Sequence, residues 1–205
     1  SWRRFPDPRL RQAGGAAFAA LALAARASRS RRTDPRLDAS PLGRALADVA
    51  AIVHADVGLR VAFVESTGWD THSRQGSASG LFADSARDLA GSLAAFIGAL
   101  GEHRERVVVL TMTEFGRTVA ENGSGGTDHG RASCFFVLGD RVRGGRVHGS
   151  IPELVPENLE DGRDLPVTVD YREVLAGVAG PHLGLPDLAP VFPGWRGQPL
   201  KLLKK

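Results

Sequence analysis

Apolar positions recur in this chain with two different rhythms. Leu42, Leu46, Val49, Ile52 and Val53 follow one another at helical spacing behind Asp38-Ala39-Ser40-Pro41. That lead-in offers an N-cap and a proline in the first turn, so the pattern predicts a helix over 41–55. Phe82, Ala86, Leu89, Leu93, Phe96, Ile97 and Leu100 make a second stripe, with Asp84, Arg87 and Asp88 elsewhere around it. It predicts a long helix over 81–101 that ends on Gly101. Residues 10–28 read as an amphipathic helix, and 171–183 as a helix capped by Asp170. The other rhythm is a near-continuous apolar run, at Arg60–Ser66, Arg106–Thr113 and Ala132–Leu138, with a weak one at Leu165–Val167. Such runs are expected where strands of a parallel sheet are covered on both faces.

Polar stretches separate these elements: an Arg/Asp/Ser/Pro loop over 28–40, a Ser/Gly-rich loop over Ser73–Gly80, and a Gly-rich loop over Ala120–Gly130. Residues 150–168 read as irregular and the tail from Leu185 as extended coil. The order helix–strand–helix–strand–loop–strand–helix predicts an α/β fold with a mostly parallel sheet. Three strong strands are fewer than the usual sheet of about five. The reading is therefore of a sheet truncated at its N-terminal side, and the initial Ser in place of Met points the same way. Three regions follow: 1–40, an N-terminal helix and polar loop; 41–194, the α/β region; and 195–205, a basic tail.

Composition narrows the partners. The 205 residues carry a net charge of +3, and lysine occurs only at 201, 204 and 205. The arginines are interspersed with acidic residues, so no nucleic-acid partner is expected. The densest basic run, Arg26–Arg36, lacks aromatics and reads as a solvated loop. One cysteine, Cys134, excludes an internal disulfide, and its place in an apolar run predicts a buried core residue. No stretch is long enough for a membrane-spanning helix. Gly14–Ala27, preceded by Arg3-Arg4, has some features of an export leader. Pro6, Asp7, Pro8 and the alanine-dominated core favour an internal helix instead.

The chemistry concentrates in three short motifs: Asp70-Thr71-His72, Thr113-Glu114-Phe115-Gly116-Arg117 and Thr127-Asp128-His129-Gly130. They supply three carboxylates and two imidazoles, a donor set that suits Zn²⁺, Mn²⁺ or Mg²⁺ better than a thiolate set would. Each lies at an end of a predicted strand, where open α/β sheets bind ligands. In extended backbone Asp70 and His72 share one face. Asp128 and His129 point apart, so one of them ligates and the other orients a ligand unless the loop is tightly curled. Arg117 suits a pair of phosphate or sulfate oxygens, or a bridge to Glu114. Asn122 and Ser124 read as loop residues, His148 as a surface residue, and Trp69 as packing.

These motifs, with Phe136-Val137-Leu138-Gly139, Gly144-Gly145-Arg146-Val147-His148-Gly149, Asp170-Tyr171-Arg172 and Val191-Phe192-Pro193-Gly194, resemble the bacterial domain-of-unknown-function family numbered 1501 over about 41–194. That family is usually placed near the alkaline phosphatases and sulfatases. The resemblance implies an alkaline-phosphatase-like three-layer α/β/α sandwich carrying the C-terminal half of an active site. It implies metal-dependent hydrolysis of a small anionic phosphate or sulfate ester, and a periplasmic or exported location. Asp70, His72, Glu114, Asp128 and His129 would bind the metals, and Arg117 would face the substrate anion. Glu114-Phe115 stands where phosphatases often have an Asp-His pair, which leaves open a metal- or anion-binding exported protein without catalysis.

Overall fold

The computed structural model describes residues 6–29, 31 and 34–204. Arg3 and Arg4, three residues of the 28–40 loop and Lys205 of the basic tail lie outside the described residues. The chain divides into two compact units, one within Ser1–Ser66 and Arg87–His103, the other within Thr67–Ala86 and Arg104–Lys205.

The first unit is helical: α1 (Pro8–Ser28), α2 (Pro35–Asp38), α3 (Pro41–His54) and the greater part of α4 (Leu81–Leu100). Local sequence sets the starts. The side chains of Asp7, Asp34 and Ser40 accept from the amides of Arg9, Arg36 and Gly43, and a proline follows each cap. A side-chain oxygen there satisfies an amide that the helix leaves without a partner. Part of each stripe read from the sequence forms the core, Leu42 and Leu46 on α3 and Leu93, Phe96 and Leu100 on α4, joined by Ala47, Ala50 and by Leu37 on α2, whereas Phe82 at the start of α4 is exposed. Gly43 lets α2 and α3 close up, since a Cβ there would stand 2.3 Å from the Leu37 carbonyl oxygen. At the far end, His54 Nε2 lies 2.8 Å from the Ala99 carbonyl and the ring meets His103 edge-on.

The expected sandwich is not what forms. Of the described residues 41% are helical and 6% are in strands, and the strands make two small antiparallel sheets. β1 (Val109–Leu110) pairs with β4 (Val137–Leu138), and β2 (Gly116–Arg117) with β3 (His129–Gly130). The mostly parallel, alkaline-phosphatase-like sheet is thereby overturned. The physical reason lies in the apolar runs. A parallel strand buried on both faces needs neighbours and helical cover. Arg60–Ser66 has no regular structure, and Val61 and Phe63 are 69% and 78% exposed. In Arg106–Thr113 and Ala132–Leu138 only two residues of each run enter a ladder, and they pair with each other in antiparallel register. Cys134 lies outside that ladder and is exposed, contrary to its expected burial. The Leu165–Val167 run forms no strand.

The second unit holds these two antiparallel pairings, β2–β3 lying in sequence between β1 and β4, and α5 (Tyr171–Leu183). Asp170 caps α5 by accepting from the Arg172 amide at 2.8 Å, and Gly184 ends it with φ of 67°. The last residues dock beside α5: the Leu200 amide donates to the Glu173 carbonyl, and Leu202 and Leu203 are buried. Among the described residues no helix is long and apolar enough to cross a membrane.

Candidate metal centre

β2 and β3 place the site. Their register sets Arg117 opposite His129 and Gly116 opposite Gly130. The pairing depends on absent side chains, since a Cβ on Gly130 would stand 2.5 Å from the Arg117 carbonyl carbon. The loop before β3 lies against the Asp70-Thr71-His72 segment just as closely. The Thr127 amide donates to the Thr71 carbonyl at 3.2 Å, and a Cβ on Gly126 would meet the His72 carbonyl carbon at 2.3 Å.

This close approach gathers Asp70, His72 and His129, with one ligand atom from each lying within 4.8 Å of the others. Asp70 Oδ1 is the shared atom, 3.0 Å from both His72 Nε2 and His129 Nε2. Asp70 and His72 come together at a turn rather than in extended backbone, since the Thr71 amide donates to the Trp69 carbonyl at 3.1 Å, and Thr71 between them is buried. His72 Nδ1 lies 2.9 Å from Asp128 Oδ1. Asp128 thus stands behind His72, while His129 faces the group. Phe115 stacks on the His129 ring, with centroids 4.0 Å apart and planes at 17°. Glu114 is exposed and is not part of the group.

Arg117 pairs with Asp70 rather than with Glu114. Its Nη1 donates to Asp70 Oδ1, its Nη2 to the Thr127 carbonyl, and its Nε to Thr127 Oγ1 at 3.1 Å. Behind it, the buried hydroxyls of Thr127 and Thr71 both donate to Gln75 Oε1, at 2.7 and 2.8 Å. The Arg117 guanidinium, followed by the His129 ring, holds the Asp70 carboxyl below the usual carboxylate range. The His72 ring, then the Asn122 amide, does the same for Asp128. Both groups are therefore acceptors at neutral pH.

The donor chemistry fits a divalent cation. Two imidazoles and a carboxylate converge, and the remaining nitrogen of His72 is engaged by a second carboxylate, which fixes tautomer and ring orientation in metal sites. Asp70 and His72 also line a cleft with Ser73, Leu81, Asp84 and Ser85. Among the described residues this is the one group of three suited to a metal.

Sequence reading passed over Gln75, Thr71 and Thr127 as functional residues and took Asn122 as loop decoration. A signal was present. Each histidine-bearing motif has a threonine within two residues of its histidine, and a small hydroxyl there is suited to a backbone-proximal hydrogen bond. Nothing comparable marks Gln75.

No curated protein and no solved structure matches the chain. A family model described as a protein of unknown function, DUF1501, matches residues 16–191, and the chain belongs to that family.

Proposed function

We propose that this chain is a metal-dependent hydrolase of phosphate or sulfate esters, working with one divalent cation held by Asp70, His72 and His129. The observation that carries the reading is the convergence of those three ligand atoms on the wall of an open cleft. Two imidazoles favour Zn²⁺ or Mn²⁺ over Mg²⁺, whose preference is for oxygen alone. When bound, the cation would supply Lewis-acid polarisation of the ester oxygens. The chain's own groups do the rest. Asp128 holds the His72 ring, Arg117 holds Asp70, and the cleft carrying Ser73 and Ser85 receives the ester. This reading keeps the ester chemistry expected from the sequence motifs and not the sandwich fold, and it uses one metal because Glu114 stands apart from the group.

A specific observation favours a second reading, a metal- or anion-binding protein without catalysis. The Arg117 fork is engaged by Asp70 and Thr127, and among the described residues no lysine or arginine lines the cleft. A transferring phosphoryl or sulfuryl group would then have the metal as its sole cation.

The two separate in one assay. Chelator-treated protein is reloaded with Zn²⁺ or Mn²⁺ and offered p-nitrophenyl phosphate and p-nitrophenyl sulfate. Turnover that requires the metal and disappears in His72→Ala supports the hydrolase. Stoichiometric metal binding with no turnover of either ester supports the second reading.

A further inference from the structure

We infer that Asn122 is a positioning residue for the metal centre, acting on His72 through Asp128; this rests on the metal-binding part of the reading above. Asn122 Nδ2 donates to Asp128 Oδ1 at 3.0 Å and to the His72 carbonyl at 2.9 Å. Its Oδ1 accepts from the amides of Ser124 at 2.9 Å and Gly126 at 3.1 Å. Both amide hydrogens and the amide oxygen are therefore engaged. One orientation alone satisfies these partners. Turning the amide over would set its oxygen against a carboxylate and a carbonyl, and its NH₂ against two N–H donors.

The result is a closed circuit. Asn122 holds the backbone of His72 and one oxygen of Asp128, and that same oxygen lies 2.9 Å from His72 Nδ1. The ring is fixed at its root and at the nitrogen turned away from Asp70. Nε2 is thereby left to face Asp70 and His129. An imidazole ligand steadied in this way binds metal more tightly, and loss of such a partner typically costs about 10–100-fold in affinity.

The loop itself has other anchors. The Arg74 amide donates to the Ser124 carbonyl, the Gln75 amide to the Gly125 carbonyl, and the Thr127 amide to the Thr71 carbonyl. Removing the Asn122 side chain therefore leaves the loop tethered to the same segment. Serine at this position is a sharper probe, because its hydroxyl is able to accept from a nearby amide in the turn but is too short to reach Asp128.

The test is a cobalt(II) titration of the metal-free full chain, read by visible absorption, in a cycle of wild type, Asn122→Ala, Asp128→Ala and the double variant. Asn122→Ser accompanies the cycle. The expected result is an affinity about 10-fold weaker in Asn122→Ala and in Asn122→Ser, with an altered absorption band. In the Asp128→Ala background the Asn122 change should cost clearly less than in wild type, because the route through Asp128 is cut and only the bond to the His72 carbonyl remains. An equal penalty in both backgrounds, or none in the wild-type background, overturns the inference and leaves the metal site standing. Wild type that takes up no cobalt overturns the metal reading itself, and this inference with it.

Discussion

The helical unit and the loops of the candidate site are held by different forces. In the first, the stripe residues of α3 and α4 exclude water: Leu100 is wholly buried and Phe96 nearly so. Area removed from water is non-directional, so such a core keeps its fold through many changes of shape. In the loops around Asp70 and His129 nearly every contact is a hydrogen bond or a glycine at close backbone approach. Those contacts are directional, and each one depends on its neighbours. The comparison teaches that stability and the proposed metal binding should be separable by mutation: core changes move the first, loop changes the second.

The largest effect expected on the stability side comes from Leu100→Ala. Removing a fully buried leucine costs about 2–5 kcal/mol, read as a lowered urea midpoint. Metal affinity, measured on the folded protein, should stay as in wild type. A large loss of metal affinity alongside would break the separation. On the other side, Gly126→Ala puts a methyl where the His72 carbonyl carbon stands 2.3 Å away. Overpacking of this kind costs about 1–3 kcal/mol, and the loop must retreat from His72. Metal titration should show a clear loss of affinity. Unchanged affinity would mean that the loop–segment contact does not organise the ligands.

A smaller effect sharpens the picture through pH. The Asp170 carboxyl is held below the usual carboxylate range, first by the Arg172 side chain. A carboxyl with a lowered folded-state pKa contributes stability that is present above its unfolded pKa of about 3.9 and is lost as pH falls through the folded value. Asp170→Asn keeps a capping oxygen and removes the charge. Acid unfolding of wild type and Asp170→Asn should therefore differ near neutral pH and converge at low pH. Curves that coincide at every pH would assign the Asp170 contribution to the cap alone. Either way the change lies on α5, so metal affinity should not move.

How far the sequence reveals this molecule follows the same division. The helices were legible, because 3.6-residue periodicity, the Ser40-Pro41 and Asp170 caps and the glycine stops are local signals. The sheet was not. Continuous apolar runs such as Arg106–Thr113 announce a desire for burial, but not which strand pairs with which or over how many residues. Val61 and Phe63 show the limit, apolar in sequence and exposed in the structure. For the site, alternation in Asp70-Thr71-His72 pointed to a shared face, and the two side chains do meet, but at a turn rather than in a strand. That Asp128 and His129 turn to different neighbours follows from their pointing apart, although which of them faces Asp70 does not. The pairing of Arg117 with Asp70 was illegible, because it depends on the β2–β3 register and not on the three-residue spacing from Glu114. Asn122 and Gln75 were illegible in part for the same reason, since His72 and Thr127 lie 50 and 52 residues away from them, and their nearer partners, Asp128 and Thr71, belong to irregular loops with no periodic signal.

The most direct test of the central claim is metal stoichiometry by elemental analysis of chelator-treated, zinc-reloaded and desalted protein, in wild type, Asp70→Ala, His129→Ala and Glu114→Ala. The account predicts one equivalent in wild type and in Glu114→Ala, and loss of that equivalent in the other two. No zinc in folded wild type, or retention of a full equivalent in Asp70→Ala and His129→Ala, would contradict it.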